Sequence, residues 1–97
     1  MFKPLDALLH SELRLGIMSI LMQTEVAEFA YIKEKTQSTA GNLSIQLQKL
    51  SEAAYITIEK SFKGKYPLTT CRITSKGKLA FEVYVDALKS YLRIDKT

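Results

Sequence analysis

Along this chain the spacing of apolar residues changes period twice, from three and four to two and back again, and each change marks a boundary between elements. Leu5, Leu8 and Leu9, then Leu13, Ile17, Ile20 and Leu21, follow the three-and-four spacing of an amphipathic helix whose main part Ser11 can cap. A short second helix is expected after Thr24 and Glu25, carrying Phe29 and Ile32 and ending near Thr36. Gln37 and Ser38 read as a tight turn, and Thr39 as the cap of a third helix with Leu43, Leu47 and Leu50 on its core face. From Tyr55 the period becomes two. Ile56, Ile58, Lys60 and Phe62 alternate with Thr57, Glu59 and Ser61 as in a half-buried strand, and a second β-like run over Thr69–Thr74 puts Cys71 and Ile73 on one face. Between the strands, residues 63–67 supply Gly64 and Pro67 for a turn and two lysines for its tip. Thr74 then caps a last helix over residues 75–92.

Two strands with a basic loop after three helices make a wing. The expected fold is α+β, mainly α: a winged helix-turn-helix with its core over residues 6–74 and a terminal helix over 75–92, in one domain spanning 1–97. A chain of 97 residues has room for one core, and 46% apolar against 25% charged residues is the balance of a globular protein. No internal repeat or low-complexity tract divides it. The longest apolar stretch, Leu15 to Met22, is interrupted by Gly16 and Ser19 and is too short to cross a bilayer. Residues 1–4 lack the apolar run of a secretory signal, so a cytoplasmic location is expected.

Charge adds a direction to this outline. Residues 1–38 carry four basic and five acidic side chains, 39–78 carry seven and two, and 79–97 carry three and three. The whole excess lies on the third helix, the wing and the start of the last helix. A positive surplus confined to one region suits an anion, and nucleic acid is the commonest polyanion partner of such a domain. Cys71 and His10 are the only residues of their types, which leaves no internal disulfide and no Cys/His metal set within one chain. Cys71 is expected to be a small buried hydrophobe and His10 a surface or packing residue. Without a paired nucleophile and base, a Gly-rich phosphate loop or a ligand cluster, no enzyme and no cofactor are expected.

Setting Leu43, Leu47 and Leu50 inward places Gly41, Ile45, Gln48 and Glu52 outward, with Ser44 and Lys49 on the flanks. That face is small and polar near its start, and Ile45 stands where solubility alone would favour Lys or Glu. The expected DNA-binding set is therefore Thr39, Ala40, Gly41, Asn42, Ser44, Ile45, Gln48 and Lys49 from the third helix, with Lys63, Lys65 and Tyr66 from the wing. Arg72, Lys76 and Lys78 are weaker candidates. The last helix has a broad apolar band for a terminal helix on so small a body. Val83, Tyr84, Ala87, Leu88, Tyr91 and Leu92, with Leu5, Leu8 and Leu9, form the expected dimer interface. A small-molecule effector site lined by Tyr84, Leu88 and Tyr91 is the alternative use of part of that band.

The motifs in order resemble the small MarR-like winged-helix DNA-binding regulators, akin to the ArsR and PadR groups. The matching stretches are residues 10–15 (His-Ser-Glu-Leu-Arg-Leu), 41–44 (Gly-Asn-Leu-Ser), 47–53 (Leu-Gln-Lys-Leu-Ser-Glu-Ala), the wing over 60–70 and 73–77 (Ile-Thr-Ser-Lys-Gly). The resemblance implies a homodimeric transcriptional regulator that binds double-stranded DNA. Gln37 and Ala54 depart from it, since both positions are commonly Gly, and so do Ser38, Ala40 and Cys71. The competing reading is a winged-helix assembly module that touches protein rather than DNA.

Overall fold

The protein is described by a computed structural model covering residues 2–92; Met1 and residues 93–97, which the single-domain reading included, lie outside the described residues. The elements are α1 (Glu12–Thr24), β1 (Val26–Glu28), α2 (Phe29–Thr36), α3 (Ala40–Glu52), β2 (Ile56–Lys63), β3 (Tyr66–Ile73) and α4 (Ser75–Leu92). This is a winged-helix fold, four helices and one three-stranded antiparallel sheet of order β1-β3-β2.

Ser11 is the N-cap of α1, in extended conformation with its hydroxyl accepting from the Arg14 amide. It also separates α1 from Leu5–Leu9, which the apolar spacing had joined to the first helix. Those residues form a separate turn instead: the Asp6 carbonyl accepts from the Leu9 and His10 amides, and its carboxylate accepts from the Leu8 amide. A hydrogen-bonded cap ends one run and begins the next, so apolar period alone overran it.

Cap chemistry fixes α3 as well. The Thr39 hydroxyl accepts from the Asn42 amide at 3.1 Å, as expected for an N-cap. At the far end the Tyr55 amide reaches the Leu50 carbonyl and the Ala54 amide the Ser51 carbonyl, the paired bonds of a Schellman ending. Ala54 accordingly has φ +65°, the left-handed region that glycine enters freely. The helix-turn-helix connection repeats the device: Ser38 donates to Lys33, Gln37 donates to Glu34, and Gln37 has φ +54°. Both departures from glycine therefore sit on left-handed backbone.

The wing is longer than its loop residues suggested. β2 and β3 pair over all eight positions, from Ile56 opposite Ile73 to Lys63 opposite Tyr66, leaving Gly64 and Lys65 as a two-residue turn with Gly64 at φ +66°. Pro67 is tolerated inside β3 because β1 covers only Thr70 to Arg72, so at Pro67 the strand has a single neighbour. β1, three residues long, is too short to show a period.

One core unites the elements: Leu9, Ile17, Met18, Leu21, Ile32, Leu43, Leu47, Leu50, Ile56, Cys71, Ile73 and Tyr84. Thr74 links α3 to α4. Its hydroxyl accepts from the Gly77 amide as the expected cap and donates to the Ala54 carbonyl. Gly77 lies so close to the backbone just before β2 that a Cβ there would stand 2.1 Å from the Tyr55 carbonyl oxygen. The radius of gyration is 15.0 Å, against about 13 Å for a compact chain of this length. The wing projects from the body.

Candidate nucleic-acid interface

The candidate surface begins at the N-terminus of α3. With Thr39 satisfying Asn42, the exposed Ala40 and Gly41 amides remain at the positive end of the helix dipole, where an anion is favoured. Nothing lies within 4 Å of where a Gly41 side chain would begin, so a backbone or base edge can approach closely there. Thr39, Ala40, Gly41, Asn42, Ser44, Ile45, Gln48 and Lys49 are all exposed. Ile45 is 56% exposed, an apolar side chain held outward on a polar face. The Gln48 amide donates to the Glu52 carboxylate at 3.4 Å, a long bond readily exchanged for a base edge.

Two flanks of α3 are held differently. Toward the wing, Ser44, Gln48 and Ser51 line a groove of about 620 Å³ closed by Ile58, Lys60 and Thr69. Toward α1, Arg14 donates to the Gln46 side chain and to the Leu8 carbonyl, and Gln46 donates onward to Asn42. This chain ties the outer flank of α3 to the body. It was not legible in the sequence, because Arg14 and Gln46 are 32 positions apart.

The wing residues Lys63, Lys65 and Tyr66 are exposed, with Lys60 beside them. Lys49, Lys60, Lys63 and Lys65 form no ion pair among the described residues, and together they edge α3 and the wing. The weaker candidates are drawn elsewhere. Lys78 binds Glu25 at 2.8 Å and, with Arg72 nearby, holds that carboxyl below its usual range. Lys76 lies over the Tyr55 ring. Of the candidate cations, those without such partners among the described residues are thus the lysines of α3 and the wing.

The proposed dimer surface needs correction. Leu9, Tyr84 and Ala87 are 0%, 3% and 1% exposed within a single protomer and cannot face a partner. The N-terminal turn points Leu9 inward and α4 does the same for Tyr84 and Ala87, while the Tyr84 hydroxyl meets Nδ1 of the exposed His10 at 2.9 Å. Leu5, Leu8 and Leu88 are half-buried against the same core. Leu79, Val83 and Leu92 stay exposed, at 61%, 57% and 71%, while Tyr91 stacks on Phe2 and donates to the Lys3 carbonyl. Tyr84 and Tyr91, offered above to an effector, are thereby engaged by the N-terminal segment. Cys71 is fully buried, and burial pushes its thiol up to about 11, which keeps it protonated and inert.

Among the described residues no helix is long and apolar enough to cross a membrane. A transcriptional regulator homologue from Pyrococcus horikoshii OT3 superposes with a TM-score of 0.82 at 27% identity, over 88% of this chain and 84% of that one. A PadR family transcriptional regulator from Eggerthella lenta shares the fold, with a TM-score of 0.58 at 20% identity over 87% and 88%. An uncharacterised protein of Methanocaldococcus jannaschii is 40% identical over 77 residues, 78% of this chain and 83% of the relative. Residues 13–92, from the first helix to the end of the last, match the family model of the winged helix DNA-binding domain, and the chain belongs to that family.

Proposed function

We propose that this chain is a sequence-specific transcriptional regulator that binds double-stranded DNA as a homodimer, with α3 in the major groove and the wing on the flanking backbone or minor groove. The observation that carries this reading is the solvent face of α3: a capped N-terminus with free amides, then Ser44, Ile45 and Gln48 outward beside unpaired lysines. Gln48 suits bidentate pairing with adenine, Ile45 a thymine methyl, and Lys49, Lys63 and Lys65 phosphates. Leu79 and Val83, one turn apart on α4, supply an exposed stripe that a two-fold partner would cover. No ligand chemistry on α4 supports an effector.

Selection of bound sequences from random duplex DNA tests the proposal. A recovered palindrome, with half-sites about one helical turn apart, is the expected result. Failure to enrich any sequence, together with binding indifferent to salt, would leave the assembly-module reading in its place.

A further inference from the structure

The inner face of the wing carries an apolar pair that neither the core nor the phosphate-directed lysines account for. Strand alternation puts Ile56, Ile58, Lys60 and Phe62 on one face of β2, and the register pairs them with Ile73, Cys71, Thr69 and Pro67. The first two pairs belong to the core or pack on it. The third lines the groove beside Ser44 and Gln48. The fourth pair, Phe62 with Pro67, continues the same face beyond the body, with Phe62 74% exposed. The ring is therefore presented on the side from which α3 is read.

Reach and charge both suit a nucleic-acid groove. From Ile58, the last β2 residue packed against the core, the ribbon extends about 13 Å to Phe62 and about 20 Å to Gly64 at the tip, at ~3.3 Å per residue, so a half turn falls between the ring and the tip. Half a turn of B-DNA is about 17 Å, the step from a major groove to the flanking minor groove. Lys60, Lys63 and Lys65 surround the ring with charge that an anionic partner complements and a second copy of this basic wing does not. Phenylalanine also has a chemistry there: apolar side chains entering a minor groove unstack a base step and bend the duplex.

Building on the DNA reading above, we propose that Phe62, backed by the rigid ring of Pro67, is a wedge that enters the minor groove flanking the α3 site and makes binding depend on how easily that step opens. Pyrimidine–purine steps such as TA and CA open readily and A-tracts resist, so specificity would extend to positions no side chain reads by hydrogen bond.

The test uses the full chain and duplexes that share the core sequence recovered by selection, with flanks of TA/CA steps or of A-tract, each carrying 2-aminopurine. Wild type is expected to bind the flexible flank several-fold more tightly and to raise the 2-aminopurine fluorescence. Phe62→Ala should bind that flank about ten-fold more weakly, the order expected from losing one buried Phe side chain. It should lose both the preference and the fluorescence rise while keeping the salt slope, since no charge changes, and Phe62→Leu should retain most of both. A folded Phe62→Ala that matches wild type on both flanks overturns the wedge and leaves DNA binding standing. So does a Phe62→Ala that changes only the sedimentation of the protein, which would assign the ring to a second copy. Wild type binding no duplex overturns the DNA reading and the wedge with it.

Discussion

Ala54 and Gln37 occupy left-handed backbone where glycine would be relaxed, because each must close the last turn of a helix at a sharp corner. A Cβ there costs about 1–2 kcal/mol, and glycine returns part of that as unfolded-chain entropy. Ala54→Gly and Gln37→Gly should each therefore raise stability by about 0.5–1 kcal/mol, read as a higher urea midpoint at unchanged m-value. Gly77 is the opposite case. A methyl group at that position meets the Tyr55 carbonyl at 2.1 Å, so Gly77→Ala should cost about 3 kcal/mol or more. Burial of Cys71 and the bond from Tyr55 to Asp6 set the alkaline limit. Folding raises the Cys71 thiol from 9.0 to about 11 and the Tyr55 phenol from 10.0 to about 12, chiefly because the hydroxyl donates to the Asp6 carboxylate. In both cases the unfolded chain gives up its proton first. Stability is thus intact below pH 9, falls between about 9 and 11 through Cys71, and falls from 10 to 12 through Tyr55. Urea midpoints of wild type and Cys71→Val against pH should show the first loss only in wild type.

Helix α3 and the wing fail in different ways if one reads bases and the other clamps phosphates. Gln48→Ala changes no charge, so it should cost about 1–3 kcal/mol on the preferred site and much less on random duplex. Lys63→Ala with Lys65→Ala should weaken binding to all sequences alike and flatten the salt slope by about 0.9 per lost phosphate contact. All three side chains are exposed, so folding stability should move by only a few tenths of a kcal/mol, roughly. Competition titrations against selected and random duplexes separate the two, and equal loss on both duplexes for Gln48→Ala would remove it as a reader. Arg14 acts one step back, through Gln46 and Asn42 on the flank of α3. Arg14→Ala should cost about 1–2 kcal/mol of stability by leaving the Leu8 carbonyl and the Gln46 side-chain oxygen without their donor, and should reduce affinity without a base preference of its own.

At the scale of the whole molecule the question is what covers α4. Leu79 and Val83 stand outward on a helix whose buried residues, Gly77, Tyr84 and Ala87, are already covered within the protomer. Val83→Glu, alone or with Leu79→Glu, should give a protomer folded as well as wild type, with sedimentation equilibrium moving from a dimer to an 11.0 kDa species. Wild type sedimenting as 11.0 kDa at micromolar concentration would reject the dimer. A monomeric variant should also bind palindromic DNA far more weakly, since the two half-sites would no longer be linked.

Local chemistry decided what the sequence alone could establish. The caps Ser11, Thr39 and Thr74, the period change at Tyr55 and the core stripe of α3 are short-range features, each written in residues a turn or a strand apart. The solvent face of α3 followed at once, because its inward residues fix its outward ones. Contacts between distant segments were decided only by the tertiary structure. β1 exists because β3 offers it an edge, Arg14 on α1 reaches Gln46 on α3, and Gly77 is dictated by the Tyr55 carbonyl just before β2. The apolar band of α4 shows the boundary between the two most clearly. Its width was plain in the sequence, but an apolar residue looks the same whether its own core or a partner covers it. Only packing showed that Leu9, Tyr84 and Ala87 are spent within the protomer, while Leu79, Val83 and Phe62 are left facing out.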